Sequence, residues 1–150
     1  MADRLTLDDQ LCYALYAASN ALTRSYRPLL DEIGLTYPQY LVLLALWQDG
    51  PMTVGALATR LSQPQNAVGQ IVIRLSQKAI VRRTRAVDRR QRQVTLTDAG
   101  RALEAHAAAV QGKIACDTGL CSDDLARLRD EIKALTARVE ARRDAAPAEP

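Results

Sequence analysis

The chain has 150 residues, enough for one domain with a sizeable core or for a small domain plus dimerisation helices. It is 48% hydrophobic and 25% charged and lacks Phe, the make-up of an ordinary globular protein, and no apolar run approaches the ~20 residues of a membrane span. The net charge of +3 is unevenly held: Arg60 to Arg92 carries nine Lys/Arg and one acid, a local +8 that leaves −5 for the remainder, so a basic surface for a polyanion is expected beside an acidic helical frame.

In chain order, Asp8 or Asp9 is placed to cap a first helix with Leu11, Leu15, Ala18 and Leu22 on one face, kinked by Pro28 and ended by Gly34. Thr36-Tyr37-Pro38-Gln39 has capping-box spacing and opens an apolar helix, Tyr40 to Trp47, that Asp49-Gly50-Pro51 stops. Thr53 caps a short helix through Leu61. Ser62-Gln63-Pro64-Gln65 repeats the capping-box spacing and opens a helix to about Lys78, with Val68, Ile71, Val72 and Leu75 inward. The period then shortens: Val81–Arg85 and Gln91–Leu96 read as the strands of a hairpin around a polar turn. Thr97 caps a helix from Asp98 to about Cys116, Gly119 breaks the chain, and Ser122 caps a last helix. There Leu125, Leu128, Ile132, Leu135 and Val139 form a seam for another helix.

Two short helices joined by a tight turn and followed by a basic hairpin predict a winged helix-turn-helix, in a mainly α fold with a small β-hairpin. Residues 35–97 form that module, residues 1–34 and 98–143 supply terminal dimerisation helices, and residues 144–150 are a disordered tail. The second helix enters the major groove, where Gln65, Asn66, Gly69 and Gln70 are the outward residues. Gln and Asn pair bidentately with adenine, and Gly permits close approach. Arg74 is assigned to phosphate. Arg89 or Arg90 at the hairpin tip reaches the minor groove, and Arg82, Arg83, Arg85 and Arg92 are candidates for phosphate contacts, with Asp88 bracing a neighbour.

Cys12 stands near a helix start. At 100° per residue it shares a stripe with Tyr16, Ser19, Thr23 and Tyr26, with Tyr37 in the next element. A thiol at a helix N-terminus near phenols is a candidate redox switch, because the thiolate is the reactive form and both surroundings favour it. The competing reading is an inert packing cysteine. Cys116 and Cys121 flank the last helix junction and are candidates either to resolve a sulfenic acid as a disulfide or to be ordinary buried thiols. A zinc site with His106 lacks a fourth ligand, so neither metal nor cofactor is expected. No Gly-rich phosphate loop or Ser/His/Asp context points to an enzyme. The polar, acidic N-terminus is unlike a signal peptide, so a cytoplasmic protein with thiols rather than structural disulfides and no membrane partner is expected.

The stretches Gln10-Leu11-Cys12-Tyr13-Ala14-Leu15-Tyr16, Tyr26-Arg27-Pro28-Leu29-Leu30 and Gly34-Leu35-Thr36-Tyr37-Pro38-Gln39-Tyr40 closely resemble the organic hydroperoxide resistance regulators, a branch of the multiple-antibiotic-resistance regulator (MarR) family. Asp88-Arg89-Arg90 through Leu96-Thr97-Asp98-Ala99-Gly100 resembles the broader family's wing. The likeness spans about residues 5 to 143. It implies a homodimer built on the terminal helices and repression of a peroxidase gene relieved by organic hydroperoxide. It further implies that Cys12 is the peroxidatic cysteine, that Tyr26 and Tyr37 hydrogen-bond its sulfur, and that Tyr16 is a third nearby aromatic. In the two-cysteine type, a C-terminal cysteine of the other subunit closes a disulfide, and Cys116 lies nearest the usual position, with Cys121 second. The segment Gln65–Ile71 departs from the Ser/Thr/Leu-rich recognition-helix start of that branch, which bears on the operator read and not on the sensor. The alternative is a regulator that answers a phenolic or lipophilic ligand without cysteine chemistry; a third reading is a thiol peroxidase.

Overall fold

The structure, a computed structural model, describes residues 6–85 and 92–145. In order these form α1 (Leu11–Glu32), α2 (Tyr37–Asp49), β1 (Met52–Thr53), α3 (Val54–Arg60), α4 (Gln65–Gln77), β2 (Val81–Arg85), β3 (Arg92–Leu96), α5 (Asp98–Asp117) and α6 (Ser122–Ala145). The chain divides into two compact units, residues 1–111 and 112–150. The hairpin turn with Asp88, Arg89 and Arg90 lies outside the described residues, as do 146–150.

Helix ends in the first unit are set by one repeated device. Gly34, Ser62 and Ala79 follow α1, α3 and α4 in the left-handed region, with φ of 69°, 51° and 55°. Each turn sends the next N–H back into the helix: Leu35 to Leu30 O, Gln63 to Ala58 O and Ile80 to Leu75 O, all at 3.0 Å. This satisfies carbonyls that a helix end leaves orphaned. Gly34 adopts it freely, whereas Ser62 and Ala79 each bear a Cβ cost of about 1–2 kcal/mol. Ser62 is therefore the stop of α3 and not the cap of α4. The second capping box does not form, and α4 starts after Pro64, which makes no side-chain cap.

At α1 the cap is Gln10, which makes no side-chain cap bond, and not Asp8 or Asp9; the starts of α2, α3 and α5 follow their polar residues. Thr36 N–H donates to Gln39 Oε1 at 3.1 Å, Ala56 N–H to Thr53 Oγ1 at 3.1 Å, and Gly100 N–H to Thr97 Oγ1 at 3.1 Å. The last helix differs from expectation. Ser122 is already helical, and Cys121 takes the cap position: its sulfur accepts the Asp124 N–H at 3.5 Å and lies 3.1 Å from Asp124 Oδ2.

The core of the first unit gathers around α2, whose apolar run is largely buried, with Leu41, Leu44 and Trp47 half-buried on one side. Tyr40, Val42, Leu43, Ala45 and Leu46 are buried there, with Leu57 and Ala58 of α3, Val68, Val72 and Leu75 of α4, and Val81 and Val94 of the sheet. Each large side chain so buried contributes roughly 1.5–3 kcal/mol. The sheet has three antiparallel strands in the order β1-β3-β2, with Met52 opposite Val94 and Val81 opposite Leu96. The two-residue β1 carries no alternation and was invisible in the sequence. Where α5 leaves the sheet, a Cβ on Gly100 would lie 2.2 Å from Ile80 O, so only glycine lets the helix pass the strand. Trp47 Nε1 donates to Gly100 O at 3.0 Å and fastens α2 to the same crossing. Lys78 Nζ donates to Gly34 O at 2.6 Å, which ties the end of α4 to the α1–α2 turn.

Many large apolar residues of α1 and α6 face water in the single chain, although Leu30 of α1 is buried. Leu7, Leu11, Tyr13, Tyr16 and Leu22 are exposed in and before α1, and α6 has no buried residue. In the seam Leu128, Ile132 and Val139 are exposed and Leu125 and Leu135 half-buried.

Candidate functional site

The DNA-facing candidates divide by what already holds them. On α4, Gln65, Asn66, Gln70 and Arg74 are exposed, while Val68, Val72 and Leu75 turn inward. Asn66 Oδ1 already accepts the Ala67 N–H at 2.9 Å. The Gln65 amide lies toward α3, 3.8–3.9 Å from where a Gly55 Cβ would stand. Gly69, read from the sequence as outward, is half-buried, and Val54 of α3 is the nearest atom to its absent Cβ at 4.0 Å. Gln70 is thus the amide least engaged by its neighbours.

Beside the start of α4, Thr53, Val54, Gly55, Gln65, Arg83 and Arg92 line an open groove of about 380 Å³. Arg83 and Arg92 come from β2 and β3, where Arg83 pairs with Val94 and Arg85 with Arg92. Two arginines lining a groove edged by Thr53 supply the planar forks with which arginine binds phosphate oxygens. Arg82 is exposed on the other face of β2, with its carbonyl accepting from Thr95 Oγ1 at 3.4 Å. The tip arginines, Arg89 and Arg90, lie outside the described residues.

The thiol and the phenols do not lie together along α1. Cys12 is the second residue of α1 and is exposed, and no acidic side chain occupies that first turn. Tyr16, one turn on, is also exposed. Tyr26 sits on the same stripe, yet at 1.5 Å per residue about 21 Å of helix separates it from Cys12. The shared stripe therefore aligns them without bringing them within contact.

Tyr26 instead packs on α2. Its ring centroid is 5.0 Å from Tyr37 and 5.6 Å from Tyr40, and Tyr37 and Tyr40 are 6.2 Å apart, all tilted. Burial, then the neighbouring phenols of Tyr40 and Tyr37, push the Tyr26 hydroxyl up to about 12. Burial raises Tyr37 as well, and burial followed by Tyr37 raises Tyr40. All three phenols stay protonated at neutral pH, which keeps them hydrogen-bond donors. Tyr40 was read in the sequence only as the start of an apolar run; its spacing of three from Tyr37 was the available signal.

A cavity of about 340 Å³ opens beside this cluster, lined by Thr23, Arg24, Arg27, Leu30, Leu35, Thr36 and Tyr37. Leu30 and Leu35 form a dry floor, and Arg24 and Arg27 project from successive turns of α1. Nothing in the sequence pattern assigns these two arginines a role, although they flank Tyr26. Cys116 and Cys121 are exposed in the second unit. Among the described residues no group of three or more His, Cys, Asp or Glu is placed to hold a metal, and no helix is long and apolar enough to cross a membrane.

A model of the MarR family matches residues 33–92, from the end of α1 into the wing. The chain is 38% identical over 146 residues to the HTH-type transcriptional regulator TtmR of Methylorubrum extorquens, covering 92% of this chain and 75% of that protein. It is 34% identical over 134 residues to the organic hydroperoxide resistance transcriptional regulator of Bacillus subtilis, covering 89% and 91%. Among solved structures, reduced AbfR bound to DNA is 32% identical with a TM-score of 0.70, covering 89% of this chain and 94% of that one. The disulfide form of AbfR is 28% identical with a TM-score of 0.63, covering 92% of each. With its helix-turn-helix, its wing strands and these relatives, the chain belongs to the MarR family of DNA-binding winged helix-turn-helix transcription regulators.

Proposed function

We propose that this protein is a cytoplasmic, homodimeric repressor that releases operator DNA when Cys12 is oxidised by an organic hydroperoxide. The observation that carries the reading is the cluster of protonated phenols, Tyr26, Tyr37 and Tyr40, beside an apolar-floored cavity. Its likeness to the Bacillus subtilis regulator supports it. About 21 Å of helix lies between Cys12 and Tyr26 in one α1, which supports a reading in which Cys12 of a second copy meets the phenols. The exposed apolar residues of α1 and α6 are what a second copy would cover.

The chemistry is a two-electron transfer. The Cys12 thiolate attacks the distal peroxide oxygen, the S–O bond forms and the O–O bond breaks. The alkoxide leaves and takes a proton as the alcohol, leaving Cys12 as a sulfenic acid. The thiol of Cys116 or Cys121 then displaces water to form a disulfide between chains. The Cα atoms must approach within about 7 Å for that bond, so its closure shifts helices. The reader responds because several phosphate contacts are lost at once. On the DNA, Gln70 with Gln65 and Asn66 reads bases, while Arg74, Arg83 and Arg92 hold phosphates and Arg89 or Arg90 enters the minor groove.

The test is a gel shift with the adjoining intergenic DNA. Organic hydroperoxide releases wild-type protein and dithiol reductant restores binding, whereas Cys12→Ser binds DNA and stays bound. Wild-type sensitivity in Cys12→Ser removes the sensor assignment. The cavity's mixed lining favours a second reading, a reversible ligand without thiol chemistry. That reading predicts release that reductant does not undo.

A further inference from the structure

The cavity beside the phenols has two walls of opposite character. Leu30 and Leu35 are 1% and 2% exposed and, with the Tyr37 ring, present apolar surface. Beside them stand Arg24 and Arg27, three residues apart on α1, with Thr36 and with Thr23, whose hydroxyl donates to Ser19 O at 2.8 Å. Among the described residues neither arginine is within ion-pair distance of a carboxylate, although Asp31 is one turn beyond Arg27. Two like charges on adjacent turns repel, and an entirely neutral, greasy guest would satisfy neither. An anionic head with an apolar body answers both walls at once. The volume, about 340 Å³, suits a compact organic molecule or one part of a longer chain.

We propose that Arg24 and Arg27 are specificity-determining residues that select an oxidant bearing a carboxylate, a fatty-acid-type hydroperoxide in place of a neutral one. The inference rests on the reading of Cys12 as the sensor and names the substrate class of that site. The carboxylate is held in the guanidinium forks. The apolar body lies on Leu30 and Leu35, and the peroxide is carried past Tyr37 toward Cys12 of a second copy. The arginines make no bond to the reacting oxygens; they raise the occupancy of the site by one class of peroxide.

The test compares a fatty-acid hydroperoxide with its methyl ester, which keeps the peroxide and the body and removes the charge. The rate of thiol loss at Cys12 is followed in the full-length protein, in Arg24→Gln/Arg27→Gln and in Arg24→Lys/Arg27→Lys. Wild type reacts with the acid faster than with the ester by roughly tenfold or more, the factor expected for one charge-assisted contact. The Gln pair brings the two rates together by slowing the acid alone, and the Lys pair retains part of the preference. Equal rates in wild type, or a preference that survives in the Gln pair, overturns the proposal. Binding of the unreactive hydroxy acid and its ester to Cys12→Ser separates the two readings. If Cys12 reacts with neither peroxide yet the acid binds through the arginines, the sensor reading fails and the anion site stands. If acid and ester bind Cys12→Ser alike, the anion site fails.

Discussion

The winged module and the terminal helices put their apolar residues to opposite use. In the module, most of the apolar run of α2 is buried, and α3, α4 and the sheet pack around it within one chain. In α1 and α6, large apolar side chains stand in water: Leu11, Leu22, Leu128, Ile132 and Val139. The first region carries the DNA-binding fold of the family; the second leaves apolar surface uncovered, which the proposed homodimer would bury. The difference teaches where regulation enters. In the proposed reading, a self-sufficient reader keeps its shape, while a sensor site divided between copies would change when their relation changes. Lys78 on Gly34 O joins the two, because it ties the recognition helix to the turn between α1 and α2.

The strongest way to break this comparison is at the seam. Ile132→Asp places charge where a partner helix is required. Dimers should fall apart in sedimentation, and operator affinity should drop by roughly a hundredfold or more as the two readers lose their linkage. Far-ultraviolet circular dichroism should retain the helical signal. A dimeric Ile132→Asp protein would place the interface elsewhere.

The module should break from within instead. Gly100→Ala sets a methyl against Ile80 O, and the strand and α5 must separate. A loss of about 1–3 kcal/mol is expected in urea titration. An unchanged midpoint would mean that the crossing is looser than 2.2 Å implies.

On the DNA surface, Gln70→Ala and Arg92→Ala should separate reading from holding. Gln70→Ala should relax preference at one base pair by about 1–3 kcal/mol. Arg92→Ala should weaken all sequences alike and reduce the salt slope by about one. The reverse pattern would exchange their roles.

Much of this was legible because it is local. Thr53 and Thr97 cap the helices they precede, and the alternating segments became β2 and β3 almost residue for residue. What failed was decided at a distance or by competition. Ser62 had the right spacing for a cap, but the need to end α3 claimed its backbone. Ser122 lost the cap position to Cys121, whose sulfur occupies it. The stripe through Cys12 and Tyr26 was correct as an angle and silent about axial distance. The phenol cluster needed α1 and α2 folded together, so Tyr40 and the arginines of the cavity could not be assigned from α1 alone.

A smaller effect sharpens the account of the phenols. Folded Tyr26 titrates at about 12 because of burial first and Tyr40 and Tyr37 second, while an unfolded tyrosine titrates near 10. The folded state holds this proton more tightly. Its contribution is therefore full below pH 10 and is lost as pH rises toward 12. Urea midpoints should fall over that window, and Tyr26→Phe should fall less. Parallel losses would separate the hydroxyl from the alkaline instability.

The central claim is that one copy's Cys12 is served by the other copy's phenols, and a mixed dimer tests it most directly. One subunit carries Cys12→Ser; the other carries Tyr26→Phe and Tyr37→Phe, and two affinity tags isolate the heterodimer. Its single remaining Cys12 then faces intact phenols only across the interface. The account predicts oxidation by organic hydroperoxide at the wild-type rate, against clear slowing in the homodimer of the phenylalanine chain, where a donor to the thiolate worth about 1.5–3 kcal/mol is missing. A heterodimer as slow as that homodimer would contradict the account, because the phenols would then serve the cysteine of their own chain or none.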